Sequence, residues 1–557
     1  MNIPLTELLF SFIGGLGLFL FGLRFMSDGL QAAAGDKLRT ILEHGTKNPI
    51  RGLLTGTLVT GLIQSSSATT VLTIGLVNAH LLTLRQAIGV IFGANIGTTL
   101  TAYLIGFNLQ DYIFPILGLG ALIYLFAKTR KRRLIGQSLL GFGVLFLGLT
   151  IMGDGMKPLK DMPFFLNLMT SIENNSIIGV LFGMLFTCIV QSSSATIGVL
   201  QQLAYQGAVT YNQAVPILFG DNIGTTVTAL LAAIGTSVAA RRAALTHFLF
   251  NLVGTIIFLP LFLLGIFKPM VILITNYLFV LIPGFAGNWD SLNIKLQIAQ
   301  THAVFNISNA IIHLPLVAVL ALIVTRLIPE REEKFEDPYQ PKYIDRRLLK
   351  NPSMALSQAK RETLRMGYLA RDAFNNAIEY FNTHEQSLVT KGEALENAID
   401  RLEREITDYV VLASRKQLSK EESKYSYIIL QSLNDIERIG DHCDNIIEQG
   451  TYAAKNQVNF SGEAQLEMAQ IIELTNNTLL LTFRALEKQD KSTAQQVLIY
   501  EGMIDEAQAT YRKAHIRRLN EGICNGNNGA VFLDMLNNLE RIGDHCCNIA
   551  QYVLEEE

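Results

Sequence analysis

Gln64-Ser-Ser-Ser-Ala-Thr69 returns 127 residues later as Gln191-Ser-Ser-Ser-Ala-Thr196. The same offset lays Gly93-Ala-Asn-Ile-Gly-Thr-Thr99 on Gly220-Asp-Asn-Ile-Gly-Thr-Thr226, and close to half of the positions in 64–103 match their counterparts in 191–230. A weaker match, at offset 126, joins Leu23–Gly29 to Leu149–Gly155, so most of 14–103 is a duplicate of 140–230. Both copies set a run of hydroxyls and an amide inside strongly apolar sequence. Polar clusters at membrane depth are costly unless they line a cavity and bind something. The duplication therefore predicts a membrane domain of two repeats built around a central binding site.

Charge divides the chain in two. Residues 1–330 hold 18 Lys+Arg against 11 Asp+Glu, whereas the remaining 227 hold 27 against 37. The first part reads as a membrane domain with basic loops (1–328) and the second as an acidic, soluble domain (353–557). The stretch 329–352, with Pro338, Pro341 and Pro352, reads as the linker. Arg24 and Asp28 interrupt the first apolar run and no small-residue cleavage site follows, which argues against a secretory signal. Cys188, Cys443, Cys524, Cys546 and Cys547 are too few and too oddly spaced for a disulfide framework and suit reduced thiols on a cytoplasmic side.

Apolar runs of spanning length lie near 8–34, 84–107, 112–127, 134–156, 211–235, 243–267 and 301–326. The clusters Lys37–Arg51, Lys128–Arg133 and Arg241-Arg242 are expected inside by the positive-inside rule. Three spans then separate the two Gln-Ser-Ser-Ser segments. Three is odd, so the second repeat is inverted relative to the first. The Gln-Ser-Ser-Ser segments are not expected to be ordinary spans. Residues 49–80 are rich in Gly52, Gly56, Gly61, Thr55, Thr57 and Thr60, small residues that let helices approach closely. A re-entrant helical hairpin fits better, with the serines at its tip capping the second half-helix. Such an N-terminus offers free N–H groups and partial positive charge to an anion. Residues 268–300 read as interfacial or re-entrant, because a full span there would put the acidic domain outside.

Hydroxyl and N–H donors suit a tetrahedral oxyanion, and the neutral oxygens of Gln, Asn and Thr suit a hard cation such as sodium. The bland alternative is that the hydroxyls back-bond to their own helices or glue helices together. Gln-Ser-Ser-Ser in each repeat, followed each time by Gly-x-Asn-Ile-Gly-Thr-Thr, resembles the type II sodium–phosphate cotransporters over about residues 10–326. That resemblance implies phosphate held at Ser65, Ser66, Ser67, Ser192, Ser193 and Ser194. It implies sodium near Gln64, Gln191, Asn95, Asn222, Thr98, Thr99, Thr225 and Thr226. Thr246–Asn251 and Thr301–Asn306, each a Thr-His pair ending on Phe-Asn, also resemble that family; a structural role for the two histidines is expected over a proton relay. Asp221 breaks the repeat, since its counterpart is Ala94: a cation ligand, a proton carrier and a solvated helix end are all open readings.

The acidic domain repeats too. Leu433–Ile446 matches Leu536–Ile549 at 11 of 14 positions. Glu437/Asp441 and Glu540/Asp544 in these motifs, with Glu396/Asp400 and Glu501/Asp505 upstream, make four carboxylate pairs at spacing i, i+4. That spacing puts both groups on one helix face, and two such faces make an oxygen-rich patch for metal ions. The alternative is exposed carboxylates paired with Arg438 and Arg541. Apolar periodicity predicts two three-helix bundles, about 353–451 and 461–555. This half resembles PhoU, and the resemblance implies divalent or ferric metal at the eight carboxylates, with Asn445 and Asn548 as further candidates.

The expectation is an all-α, polytopic membrane protein of two inverted repeats followed by a soluble helical domain. The function expected is secondary active transport of phosphate with sodium. The rivals are another oxyanion, proton coupling, or a membrane-anchored phosphate sensor. An enzyme is least expected, for want of a nucleophile–base motif or nucleotide loop. Expected partners are inorganic phosphate, sodium and the lipid bilayer; a homodimer is compatible with the sequence and nothing calls for nucleic acid. The plasma (inner) membrane is the expected location, with the C-terminal domain in the cytoplasm.

Overall fold

The computed structural model describes residues 5–34, 41–42, 45–79, 81–107, 109–281, 287–329, 339–415 and 418–554. Among the described residues every regular element is a helix, the class expected. The chain divides into two units, Met1–Glu332 and Glu333–Glu557.

In the first unit the order is α1 (Leu5–Ala34), α2 (Pro49–Ile63), α3 (Ser66–Asn78), α4 (Leu84–Gly106), α5 (Ile113–Phe126), α6 (Arg130–Met156), α7 (Pro163–Asn174), α8 (Ser176–Val190), α9 (Ser193–Tyr205), α10 (Tyr211–Ala232), α11 (Val238–Leu263), α12 (Phe267–Leu281), α13 (Ile294–His313) and α14 (Val317–Leu327). Among the described residues six helices or helix pairs are long and apolar enough to cross a bilayer, α13 and α14 counting as one. The sequence motifs act locally. Thr83 and Thr210, at equivalent positions, each form a capping box with Gln86 and Gln213 and start α4 and α10.

The antiparallel pairing of α1 with α6 shows how the repeats are related. A Cβ on Gly22 would lie 2.3 Å from the Leu145 nitrogen, and one on Gly148, its counterpart, 2.3 Å from the Phe19 nitrogen. Only glycine allows backbones this close. Leu145 is in turn the counterpart of Phe19 at the same offset, so the contacts are exchanged by a two-fold axis. Equivalent helices that run antiparallel place the two repeats in opposite orientations.

Each repeat contains a helix–break–helix hairpin, α2–α3 and α8–α9. The first arms lie against the long helices of their own repeats. A Cβ on Gly93 would come within 2.0 Å of the Leu53 carbonyl oxygen, and one on Gly220 within 1.9 Å of that of Val180. The second arms cross over: α3 packs on α10 and α11, and α9 on α4 and α13.

Two spans differ from their sequence outline, and the segment read as interfacial holds a short helix. Helix α5 has 14 residues, a length of about 21 Å against a hydrocarbon core of about 30 Å. Helix α12, at 15 residues, is short as well, and its Asn276 side chain accepts from the Trp289 N–H at 2.7 Å, turning the chain back. Residues 282–286 of the segment read as interfacial fall outside the described residues. The run at 301–326 starts earlier, at Ile294, and passes through a 3-10 turn at Leu314–Leu316 around Pro315 before α14.

The second unit holds α15 (Pro352–Thr383), α16 (Gln386–Ser414), α17 (Lys420–Lys455), α18 (Gly462–Lys488), α19 (Lys491–Asn520) and α20 (Gly526–Leu554). They form two three-helix bundles around one apolar core that includes Phe374, Leu402, Ile436, Phe483, Phe532 and Leu539. The motif helices α17 and α20 pack on each other. The stretch read as linker is partly ordered against this unit. Glu362 is fully buried and accepts from the Lys342 and Tyr343 N–H groups, while Tyr409 donates to the Asp345 carbonyl at 2.9 Å. A buried carboxylate needs such donors, and this need docks residues 342–345. Pro352 is already the first residue of α15, capped by Asn351.

Candidate functional site

The two hairpin tips have one backbone solution. Helix α2 ends at Gln64 with φ 60° and ψ 32°, and α8 ends at Gln191 with φ 56° and ψ 28°. Both are left-handed, which non-glycine residues adopt at a cost of order 1 kcal/mol or more. The next residue is extended and caps the following half-helix: Ser65 Oγ accepts from Ala68 N–H at 3.2 Å, and Ser192 Oγ from Ala195 N–H at 3.3 Å. The serines thus stand where the sequence put them, at the N-terminus of the second arm, with Ser66, Ser193 and Ser194 buried and Ser67 half-buried.

Pairs of threonines lock the arms beneath each tip. Thr60 lies 2.9 Å from Thr69, and Thr187 lies 2.9 Å from Thr196. These four hydroxyls were absent from the sequence-based site. The offset of 127 that joins Thr60 to Thr187 was the signal that marks them. The glutamines part company. Gln64 is buried and accepts from Thr101 at 2.9 Å, whereas Gln191 is exposed. Thr228, the counterpart of Thr101, instead donates to Ser67 of the other repeat at 3.4 Å, tying the first tip to α10.

The sodium candidates on α4 and α10 match in detail. Asn95 and Asn222 donate through Nδ2 to Ile91 and Leu218 carbonyls, each at 2.9 Å. Thr98 and Thr225 donate to Ala94 and Asp221 carbonyls, and Thr99 and Thr226 to Ile96 and Ile223 carbonyls. This is the back-bonding of the bland reading. It also spends the protons on the helix, so the remaining oxygen lone pairs are acceptors, as a cation ligand requires. His247 and His302 are buried, and Asn251 and Asn306 donate to their carbonyls at 3.1 and 3.0 Å. The residues supply donors at two helix N-termini and acceptors on the adjoining helices, a set that fits an anion with a hard cation beside it.

In the helical unit, Asp400, Glu437 and Asp441 bring ligand oxygens within 4.8 Å of one another, as do Glu501, Asp505 and Asp544. Glu396 and Glu540 stand outside these triads but feel them: partial burial first, then the neighbouring carboxylates, raises the pKa of both. Burial and like charge raise Glu437 and Glu501 in the same way. Arg438 and Arg541 do pair with Asp441 and Asp544, at 3.2 and 3.1 Å, but both guanidinium groups are exposed and such pairs are worth little. Asn445 is exposed, and Asn548 donates to Asp435 at 3.0 Å, turned toward the other bundle. His545 also contacts Asp435 at 2.9 Å and His442 contacts Asn538 at 2.9 Å. These links cross-join the motif helices, a pairing that the sequence repeat did not announce.

The raised carboxyls set a pH dependence. Each holds its proton more tightly folded than unfolded, so the metal-free unit is favoured below the unfolded value, about 4.3 for Glu, and loses that advantage as pH rises through the raised value. In chelator-treated protein the thermal midpoint of the helical unit should fall as pH rises above about 4.3. Glu437→Gln with Glu501→Gln should flatten the fall, and a divalent cation should restore the midpoint at pH 7. A slope that the double variant leaves intact assigns the effect elsewhere.

The comparisons with known proteins agree with this division. Residues 18–154 and 152–275 match the Na+/Pi-cotransporter family, and residues 363–450 and 468–553 match the PhoU domain. A relative from Escherichia coli (strain K12) named for inorganic phosphate export, YjbB, is 26% identical over 553 residues, covering 98% of this chain and 97% of its own. Protein YqeW of Bacillus subtilis (strain 168) is 29% identical over 324 residues, 58% of this chain and 99% of its own. The human sodium-dependent phosphate transport protein 2B is 40% identical over 91 residues, 16% of this chain and 13% of its own. The membrane part of this chain belongs to the Na+/Pi-cotransporter family, and its helical part consists of two PhoU domains.

Proposed function

We propose that this protein is a secondary active transporter of inorganic phosphate, coupled to sodium, working by alternating access around the two Gln-Ser-Ser-Ser tips. The observation that carries the reading is the pair of tips themselves: a left-handed glutamine followed by a serine N-cap, twice, in repeats of opposite orientation. Phosphate is held by the hydroxyls and first-turn N–H groups of Ser65–Ser67 and Ser192–Ser194. Sodium takes the acceptor oxygens of Gln64, Gln191, Asn95, Asn222, Thr98, Thr99, Thr225 and Thr226. The name of the human relative supports the sodium coupling. The protein resides in the plasma (inner) membrane with its PhoU domains in the cytoplasm, where their eight carboxylates bind metal and regulate flux. Inverted repeats favour transport over sensing, since a sensor needs no alternating access.

Labelled phosphate flux in proteoliposomes, under imposed Na+, K+ and H+ gradients, tests this. Flux should follow the sodium gradient in either direction, including efflux from loaded vesicles as the name of the Escherichia coli relative suggests. Flux driven equally by K+, or by H+ without Na+, removes the sodium coupling; no phosphate flux under any gradient removes transport.

A further inference from the structure

The two tips are alike in backbone and unlike in charge. In the first repeat Thr60 and Thr69 meet beneath the tip and Ala94 faces them from α4. In the second, Thr187 and Thr196 meet in the same way, and Asp221 takes the place of Ala94. Asp221 is completely buried. Its Oδ1 accepts from Thr187 at 2.8 Å, Thr196 also bonds to it, and its Oδ2 has no hydrogen-bond partner. Among the described residues no basic side chain forms an ion pair with it. A solvated helix end, one of the three readings open from sequence, is excluded by this burial.

A carboxylate at this depth held by two neutral hydroxyls is left with most of its charge uncompensated, which costs several kcal/mol unless the group is protonated or a counter-cation is present. The surroundings favour a cation. Thr187 lies in the last turn of α8, where the chain breaks at Gln191, so the group stands by the negative end of that half-helix. Two hydroxyl oxygens and an unpartnered carboxylate oxygen form an all-oxygen donor set, the kind that hard cations choose.

We infer that Asp221, with Thr187 and Thr196, ligates a sodium ion in the second repeat, giving that repeat a charged cation site for which the first, with Ala94, has no equivalent. The two pseudo-symmetric halves then differ in cation affinity, and the second binds first. The inference rests on the sodium-coupled reading above but is separable from it, because binding can be measured without transport.

The test is the thermal midpoint of the full-length purified protein, titrated with NaCl against KCl at constant ionic strength and fixed pH, without phosphate. The wild-type protein should be stabilised by Na+ over K+. Asp221→Ala, which copies the first repeat, and Asp221→Asn should each raise the half-maximal Na+ concentration at least tenfold. Thr196→Val, which leaves the carboxylate, should raise it less, and it decides the matter if the Asp221 variants do not fold. Unchanged Na+ half-points in the variants that fold overturn the inference, as does stabilisation that K+ provides equally. Sodium stabilisation that depends on Asp221 in a protein without phosphate flux keeps this site and discards the transport reading. Sodium-driven flux with an Asp221-independent half-point does the reverse.

Discussion

Ser66→Ala and Ser193→Ala should each lower phosphate transport by about 10- to 100-fold at unchanged expression. Ser66 and Ser193 are the first helical residues of α3 and α9 and are 5% and 6% exposed. A hydrogen bond to a charged group is worth about 1.5–3 kcal/mol, and a buried anion that loses its donor forfeits it in full. Alanine is harmless at this place in a helix, so the loss is read in transport and not in folding. Ser65 and Ser192 are poorer probes. They cap the half-helices, and an alanine there costs about 1 kcal/mol of stability as well. Near-normal affinity and rate in both variants refute the hairpin-tip site.

A protein ending after Glu330 should insert and still carry phosphate, with altered control. The contact boundary falls between Glu332 and Glu333, and the Bacillus subtilis relative is matched over 99% of its length by 58% of this chain. In the intact protein, Glu437→Gln with Asp441→Asn should reduce bound metal, because neutral amides are poorer ligands for hard cations than carboxylates. The same pair should leave the sodium dependence of flux unchanged, since the proposed sodium ligands are in the membrane unit. Loss of flux in a truncated protein that inserts stably makes the PhoU domains part of the transport cycle and overturns the division of labour.

Much of this was legible in the residues. A fixed offset found the repeats. Glycine and threonine in 49–80 marked a segment packed against protein, and the pattern Gln-Ser-Ser-Ser placed a break followed by a cap. These features are local: a serine N-cap, a left-handed junction and a Thr-x-x-Gln capping box each need only neighbouring residues. The same holds for the carboxylate pairs, whose i, i+4 spacing fixes their face once a helix forms. Span limits were less legible. The apolar run at 112–127 does not show that α5 is too short to cross the core, nor does the run at 301–326 show that the last span begins at Ile294 and passes through a 3-10 turn at Pro315; the shortness of α12 agrees with the reading of 268–300 as less than a full span.

What the sequence determined by itself is the duplication, the tip motif and the acidic helical bundles; the inversion, expected from three spans between the tips, rests in the structure on the antiparallel pairing of α1 with α6, since α5 is too short to count as a full span. Only the tertiary structure decided what lies opposite what. It set Asp221 beneath Thr187 and Thr196, buried Gln64 while exposing Gln191, and turned Asn548 toward Asp435. The physical reason is that a repeat specifies equivalent backbones, whereas burial and partners depend on side chains from distant helices. One substitution, Ala94 against Asp221, is a single letter in the sequence; only the packing of α8, α9 and α10 turns it into a fully buried carboxyl bonded to Thr187.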